Sequence, residues 1–295
     1  MGAKDLTEKI LEAYNDVFAD IVNGLLFAGE PVIQEQMLED AQPVSAIKAD
    51  GKMREQDRDV AKYWIAESEA RIRIRIAFLG IENQTEYDKD MPLRVIGYDG
   101  AAYRAELGQK DRYPVLTLVL YFGDKAWGRN HSLYDAIAVP ERMKPYVSNY
   151  RINVFEIAHL PEEQIACFHS DFKIVVDYFI HRRQDPDYRP RDPQRFQHVD
   201  ELLKLMTALT NDHRFADTLT GEGEKPNNMC EVLDRVEARG EARGEARGRI
   251  IGTVQTYNRM GVSPVDIIKN IMQEFDLDQK TAEEYVEEIL GICIG

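Results

Sequence analysis

The chain has 295 residues, 44% hydrophobic and 30% charged, a balance typical of a globular protein that can bury a sizeable core. Its formal net charge of −15 at pH 7 argues against tight, unassisted binding to nucleic acid, because phosphate contacts need Lys and Arg. No window approaches the roughly twenty apolar residues of a membrane span, and the three cysteines lie far apart. These features predict a cytoplasmic protein with reduced thiols and no zinc site.

Apolar residues at helical spacing predict a first helix over residues 5–27, with Asp16 and Asp20 one turn apart. Two runs rich in β-branched and aromatic residues follow, 54–65 and 71–84, joined by a short polar break. They predict a β-hairpin. In the first strand, Asp57 and Asp59 share one face.

The second strand is apolar on both faces from Ile76 to Ile81, which predicts a position in the middle of a covered sheet. Its polar end, Glu82-Asn83-Gln84, should emerge at an edge of that sheet, where a neighbouring strand could bring an Asp close to Glu82. Two carboxylates and a carboxamide would suit a hard cation such as Mg²⁺. The alternative is an Asp at a turn and a Glu at a solvated strand end.

A helix is predicted from Met91 to about Leu107, capped by Asp88 or Asp90. Arg94 and Tyr98 lie four residues apart and therefore on one face. Arg94 could contact phosphate, with Tyr98 orienting it. The alternative is a structural Arg paired with an acid of the sheet.

The rest of the chain predicts two more strands, near 113–123 and 152–158, and helices over 160–181 and 196–216. This order indicates an α/β sheet with helices on both faces and an all-helical C-terminal extension. We predict four segments: a sheet domain (1–182), a helical extension with a Pro/Arg-rich linker (183–234), a repeat connector (235–250) and an acidic helical tail (251–295).

The connector repeats Glu-Ala-Arg-Gly three times, from Glu237 to Gly248. On a helix this spacing produces one stripe of arginines and another of glycines. Each glycine weakens an isolated helix by about 0.5–1 kcal/mol relative to Ala, which favours a marginal helical connector. A homodimer formed through the C-terminal helices and a basic arm touching DNA are the alternatives.

Several stretches resemble the recombination-promoting nuclease (Rpn-like) and putative transposase family of the PD-(D/E)xK nuclease superfamily. The resemblance covers nearly the whole chain and implies a restriction-endonuclease-like central mixed sheet flanked by helices. The matching stretches are Phe18–Asn23, Arg58–Lys62, Gly80–Gln84, Met91–Asp99, Pro114–Tyr121 and the Ala238-Arg239-Gly240 repeats.

The resemblance implies Mg²⁺-dependent hydrolysis of DNA phosphodiesters, with Mn²⁺ as a substitute metal. Asp59 and Glu82 would hold the metal, helped by the backbone carbonyl of Asn83. Asp59 is preferred to Asp57 because it lies in the matching Arg58-Asp59-Val60 stretch. Gln84 stands where the superfamily usually has Lys, and its amide cannot supply a positive charge. The Gln variant is nevertheless typical of the Rpn-like family.

Four further residues complete the expected site. Asp20 would add a third acid from the first helix, as an acidic residue does in the superfamily, although a surface Asp is an equally good interpretation. Arg94, Tyr98 and the motif residue Lys62 would bind the DNA substrate. The alternative to an endonuclease is a catalytically inactive, nuclease-like module that binds DNA or a protein.

Overall fold

The computed structural model describes residues 11–41, 44–49, 52–67, 73–110, 112–220 and 224–292. The chain forms two compact units, Met1–Val232 and Leu233–Gly295. In the described part of the chain, no helix combines the length and the apolar character needed to cross a bilayer.

The first unit contains strands and helices, and the described residues of the second unit contain helices and no strand. The elements are α1 (Asn15–Leu26), β1 (Leu38–Asp40), β2 (Val44–Ala49), β3 (Lys52–Asp57), β4 (Val60–Glu67), β5 (Arg73–Gln84), α2 (Met91–Ala105), β6 (Val115–Tyr121), α3 (Leu133–Ala136), β7 (Asn153–Glu156), α4 (Phe172–Arg182), α5 (Val199–Thr210), α6 (Arg214–Asp217), α7 (Met229–Arg259), α8 (Pro264–Phe275) and α9 (Gln279–Leu290). Short 3₁₀ helices cover Glu35–Met37, Glu141–Tyr146, Ile157–His159 and Glu162–Cys167.

The central sheet has five strands in the order β1-β4-β5-β6-β7. Strands β1, β4 and β5 pair antiparallel, and β5, β6 and β7 pair parallel, so the sheet is mixed. The expected mixed sheet flanked by helices, with a helical C-terminal region, is thereby confirmed. Strand β5 occupies the middle and is buried from Ala77 to Asn83, as its apolar run predicts.

The predicted hairpin is confirmed as β4 and β5, but its first strand was placed too early. Residues 52–57 form β3, which pairs with β2 in a separate two-stranded sheet. Asp59 lies in the two-residue connection between β3 and β4, so the expectation that it shares a strand face with Asp57 is wrong. The chain leaves one sheet and enters the other at this connection, which alternation of residue types could not reveal. The polar break at 68–70 lies outside the described residues.

Helices cover the two faces of the central sheet. On one face, α2 packs against an apolar cluster made by Met91, Val95, Val119, Tyr121 and Trp127. On the other face, the ring of Phe18 in α1 lies beneath the ammonium group of Lys62 in β4, at 5.7 Å. Successive side chains of β5 therefore point alternately towards α2 and towards α1.

A buried ion pair joins the β3–β4 connection to α2. Arg58 Nη2 donates to Asp99 Oδ1 at 2.6 Å, and both side chains are almost fully buried. Thr117 Oγ1 donates to the same oxygen at 2.6 Å, while Tyr150 donates to the other carboxylate oxygen. Burial lowers the pKa of Arg58 despite the carboxylate beside it, although an arginine stays charged.

The second unit is a small helical assembly with its own apolar core. Ile250, Val254, Ile267, Ile271 and Val286 form the centre of this core. Helices α8 and α9 are capped by Ser263 and Asp278, whose side chains accept backbone N–H groups. The tail that the sequence predicts to be helical thus contains two short helices, α8 and α9.

The Glu-Ala-Arg-Gly repeats belong to α7, where almost every residue from 237 to 249 is exposed. A Cβ built on Gly240, Gly244 or Gly248 meets no described atom within 4 Å. These glycines leave room for a second helix, which the alternative of a homodimer through the C-terminal helices would require.

Replacing Asp99 by Ala should destabilise the protein strongly, because it leaves the Arg58 charge buried without its carboxylate. We expect a loss of about 3–5 kcal/mol in the free energy of unfolding, measured by urea titration. The control is Glu39→Ala, which breaks the exposed 2.7 Å pair with Arg73 and should cost less than about 1 kcal/mol. Equal losses in the two variants would show that the buried pair contributes no more to stability than the exposed one.

Candidate active site at the carboxyl end of β5

Glu82 is the buried acid at the centre of the candidate site. It lies near the end of β5 and is 2% exposed. Arg94 of α2 donates through Nη2 to Glu82 Oε1, and the Gln84 amide donates to the same oxygen at 3.1 Å. The polar end of the strand is thus buried beneath α2, where the sequence predicted an open sheet edge.

Asp59 reaches the same strand end from the β3–β4 connection. Its Oδ2 accepts the backbone N–H of Asn83 at 2.5 Å, and its own N–H donates to the carbonyl of Ile81 at 3.2 Å. These bonds fix the half-buried Asp59 carboxylate beside the backbone that carries Glu82. The expected approach of Asp59 to the Glu82-Asn83-Gln84 end is therefore present, by way of a connection and not a strand.

Arg94 and Tyr98 lie on one face of α2, as their spacing predicts. Arg94 donates to the Tyr98 hydroxyl through Nε at 3.3 Å and Nη2 at 3.1 Å, and to Asp88 Oδ2 through Nη1 at 3.1 Å. The Arg94 side chain is 38% exposed, whereas Tyr98 is buried. Arg94 can therefore meet a ligand from solvent, and Tyr98 holds its guanidinium in place.

The charges of this group depend on one another. Burial alone would lower the pKa of Arg94, but the Glu82 carboxylate outweighs it and the pKa of Arg94 is raised. Burial, followed by the same carboxylate, raises the pKa of Tyr98 to about 12. Arg94 thus pairs with an acid of the sheet, as the alternative interpretation expected, and its contact with phosphate stays a prediction.

Glu12 is a buried acid that the sequence analysis missed. It lies in a helical turn just before α1, and its Oε2 accepts the Asn83 side-chain amide at 2.6 Å. Asn83 thus bonds Glu12 through its side chain and Asp59 through its backbone. Helical spacing could not identify Glu12, because it lies off the apolar stripe of the predicted helix, and the turn that carries it is separate from α1.

The structure places Asp20 apart from the strand end. Its carboxylate accepts the backbone N–H groups of His169 and Ser170 at 2.8–3.0 Å, together with the Ser170 hydroxyl at 2.6 Å. It therefore fixes the turn that precedes α4. The expectation of a third site acid at Asp20 is corrected, since Glu12 is the acid near α1 that contacts Asn83.

Lys62 also differs from expectation. Its ammonium group donates to Asp40 Oδ1 at 2.5 Å, and the lysine side chain is only 1% exposed. In the register of β4 with β5 it lies opposite Leu79, on the α1 face of the sheet. Direct contact of Lys62 with DNA is thus not supported, because its charge is enclosed between the sheet and α1.

Part of the loss of stability at alkaline pH should come from Tyr98. A raised phenol pKa means that the folded state holds the proton more tightly than the unfolded chain, whose tyrosines titrate near pH 10. This contribution is fully present below pH 10 and is lost as pH rises towards 12. Between pH 9 and pH 11, the free energy of unfolding measured with urea should fall less for Tyr98→Phe than for wild type. The exposed control Tyr146→Phe should lose as much free energy of unfolding between these pH values as wild type. Equal losses in all three proteins would contradict the assignment.

Comparison with protein families matches residues 52–211 to the family described as "Putative transposase, YhgA-like". No curated protein and no solved structure matches the chain at a significant level. The matched segment begins with β3 and ends just beyond α5, so it contains Asp59, Glu82 and Arg94. Because it covers more than half of the chain, the protein belongs to this YhgA-like transposase family.

Proposed function

We propose that the protein is a Mg²⁺-dependent DNA endonuclease that hydrolyses phosphodiester bonds at the carboxyl end of β5. The observation that carries the proposal is the meeting of Glu82, Asp59 and the half-exposed Arg94 at one strand end. Carboxylates suit a hard cation, and a guanidinium suits a phosphate. Membership of a transposase-like family supports DNA as the substrate.

The donor set fits Mg²⁺ as this ion is usually bound. Mg²⁺ commonly takes one or two carboxylates and completes its shell with water and substrate phosphate. The described residues contain no group of three or more His, Cys, Asp and Glu that could hold a metal, so Asp59 and Glu82 would act as a pair. Asn83 Oδ1 is buried and accepts no hydrogen bond from the described residues, but the Asn83 side chain lies on the α1 face with Glu12, opposite to Glu82, so it is not counted among the metal donors. When bound there, the metal would supply a Lewis acid that polarises the phosphate.

The chain's own residues would position the substrate. Arg94 is held by Glu82, Asp88 and Tyr98, so the orientation of its guanidinium is fixed before a phosphate oxygen arrives. Preorganised charge of this kind stabilises the extra negative charge of the transition state without further rearrangement. The neutral Tyr98 supports the guanidinium from the buried side.

Arg94 also accounts for Gln84 standing where the superfamily usually has Lys. The Gln84 amide and the Arg94 guanidinium both donate to Glu82 Oε1, so the two groups lie side by side. The positive charge that Gln84 lacks would therefore come from α2 instead of from the strand. Gln84 would hold the Glu82 carboxylate, or a water molecule, by hydrogen bonding.

The first experiment is plasmid nicking by purified protein with Mg²⁺ or Mn²⁺. Asp59→Asn and Glu82→Gln keep the side-chain shapes and remove the charges, and each should lower cleavage at least about 100-fold. Glu39→Gln, on the exposed edge strand β1, should cleave like wild type. Circular dichroism and thermal unfolding should first show that all variants are folded.

Cleavage that survives both substitutions would mean that the site is placed wrongly. No cleavage by wild type in either metal would instead favour an inactive binding module. The contact of Arg94 with Glu82 favours that alternative, since it balances a charge that the metal would otherwise balance. Titration calorimetry with Mn²⁺ separates the two, because an inactive module should release no binding heat that depends on Asp59 and Glu82.

An exchange of charges tests the role of Arg94. Arg94→Gln should lower cleavage by about 10²-fold or more, as expected for the loss of one transition-state donor. Adding Gln84→Lys to this variant should restore a measurable part of the activity, because it returns a cation to Glu82. Adding the exposed substitution Gln279→Lys should restore nothing. Equal activity of the two double variants would contradict the proposed role.

A further inference from the structure

The segment between β6 and β7, residues 123–152, forms a lobe with an exposed aromatic tip; we call it the β6–β7 lobe. Its 3₁₀ helix, Glu141–Tyr146, carries Tyr146 at 88% exposure and Met143 at 52%. The Tyr134 hydroxyl bonds the carbonyl of Lys144 at 2.8 Å and that of Val147, which fixes the backbone on both sides of the tip. The Tyr146 ring is thus presented to solvent by an anchored backbone.

The lobe also differs from the rest of the chain in charge. It contains five Lys and Arg residues against three Asp and Glu, whereas the whole chain has a net charge of −15. Its basic residues are Lys125, Arg129, Arg142, Lys144 and Arg151. Arg142 and Lys144 flank Met143 and lie within four residues of Tyr146. Lys144 donates to Glu141 of the same 3₁₀ helix, and this exposed ion pair is weak enough for a phosphate to displace the carboxylate. Cations beside an exposed ring are the combination that binds a nucleic acid strand.

The base of the lobe contacts the loop that holds the candidate site. Asn130 Nδ2 donates to the carbonyl of Lys89 at 3.0 Å, and the neighbouring Asp88 accepts from Arg94 at 3.1 Å. The lobe leaves β6 at Tyr121, which pairs with Gln84 of β5. It therefore begins at the same edge of the sheet as Glu82 and the accessible side of Arg94.

We propose that the β6–β7 lobe binds the DNA strand next to the scissile bond, with Tyr146 stacking on a base and Arg142 and Lys144 contacting phosphates. The inference rests on the proposed function, since it takes DNA as the substrate. Base stacking on an aromatic ring tolerates any sequence, because every base has a π-face. The basic lobe would also direct the strand towards a locally positive part of an acidic protein.

The test is fluorescence anisotropy with a labelled single-stranded oligonucleotide at low salt, without divalent metal so that cleavage is absent. Tyr146→Ala should weaken binding about tenfold, while Tyr146→Phe should bind like wild type because it keeps the ring. Arg142→Ala with Lys144→Ala should reduce the slope of log K against log salt by about 1.4, because each phosphate that a cation neutralises contributes about 0.7. The matched control is Lys110→Ala with Arg112→Ala, two exposed cations before β6, at the opposite end of that strand.

The outcomes separate this inference from the nuclease itself. Wild-type cleavage together with unchanged oligonucleotide binding by the lobe variants would overturn the inference and leave the nuclease intact. Binding that depends on Tyr146 in a protein that never cleaves would support the lobe and overturn the nuclease. Wild type that does not bind the oligonucleotide, but binds anionic phospholipid vesicles through Arg142 and Lys144, would show that the lobe binds a membrane surface. The inference would then be wrong.

Discussion

The ion pair between Arg58 and Asp99 is the interaction on which the candidate site depends. Arg58 immediately precedes Asp59, and Asp99 immediately follows Tyr98, so the pair fixes one residue from each side of the strand end. Taking two charges out of water is costly, and the cost is offset here by further bonds to Asp99 from other elements. The pair also explains Gly80, because a Cβ at that position would lie 2.5 Å from Arg58 Cδ. The glycine before Glu82 thus makes room for the cation that holds Asp59.

Local patterns in the sequence predicted the strands and the face of α2 that carries Arg94 and Tyr98. They did not predict which charged side chains are buried. The apolar run before Glu82 identified the central strand, and the four-residue spacing identified the contact of Arg94 with Tyr98. The acid that reaches Asn83 is Glu12 and not Asp20, and this depends on how the start of the chain crosses the sheet, which no periodicity records. Lys62 was misjudged for a similar reason: a buried lysine is rare, and only the tertiary structure supplies its partner, Asp40.

The strong negative charge of the chain and a DNA substrate are compatible once charge is considered locally. Eight acids and only two lysines lie between Gly261 and Gly295, in the second unit, whereas the β6–β7 lobe belongs to the first. At physiological ionic strength the Debye length is about 8 Å, so only charges within about this distance act strongly on a bound phosphate. The nearby cation Arg94 is then more important than the net charge. Acidity of the whole chain would mainly limit non-specific binding to DNA.

The exposed repeats in α7 should make this part of the helix open more easily than the rest of the second unit. A four-residue repeat places glutamates beside glutamates and arginines beside arginines on successive turns, and such like-charge neighbours weaken a helix. Almost no side chain between 237 and 249 is buried, so packing adds little to offset the three glycines. Backbone amides in this stretch should therefore exchange with solvent deuterium through openings of this segment alone, well before the core helices of the same unit unfold. Salt screens the repulsion between like charges, so it should slow that exchange instead of hastening it.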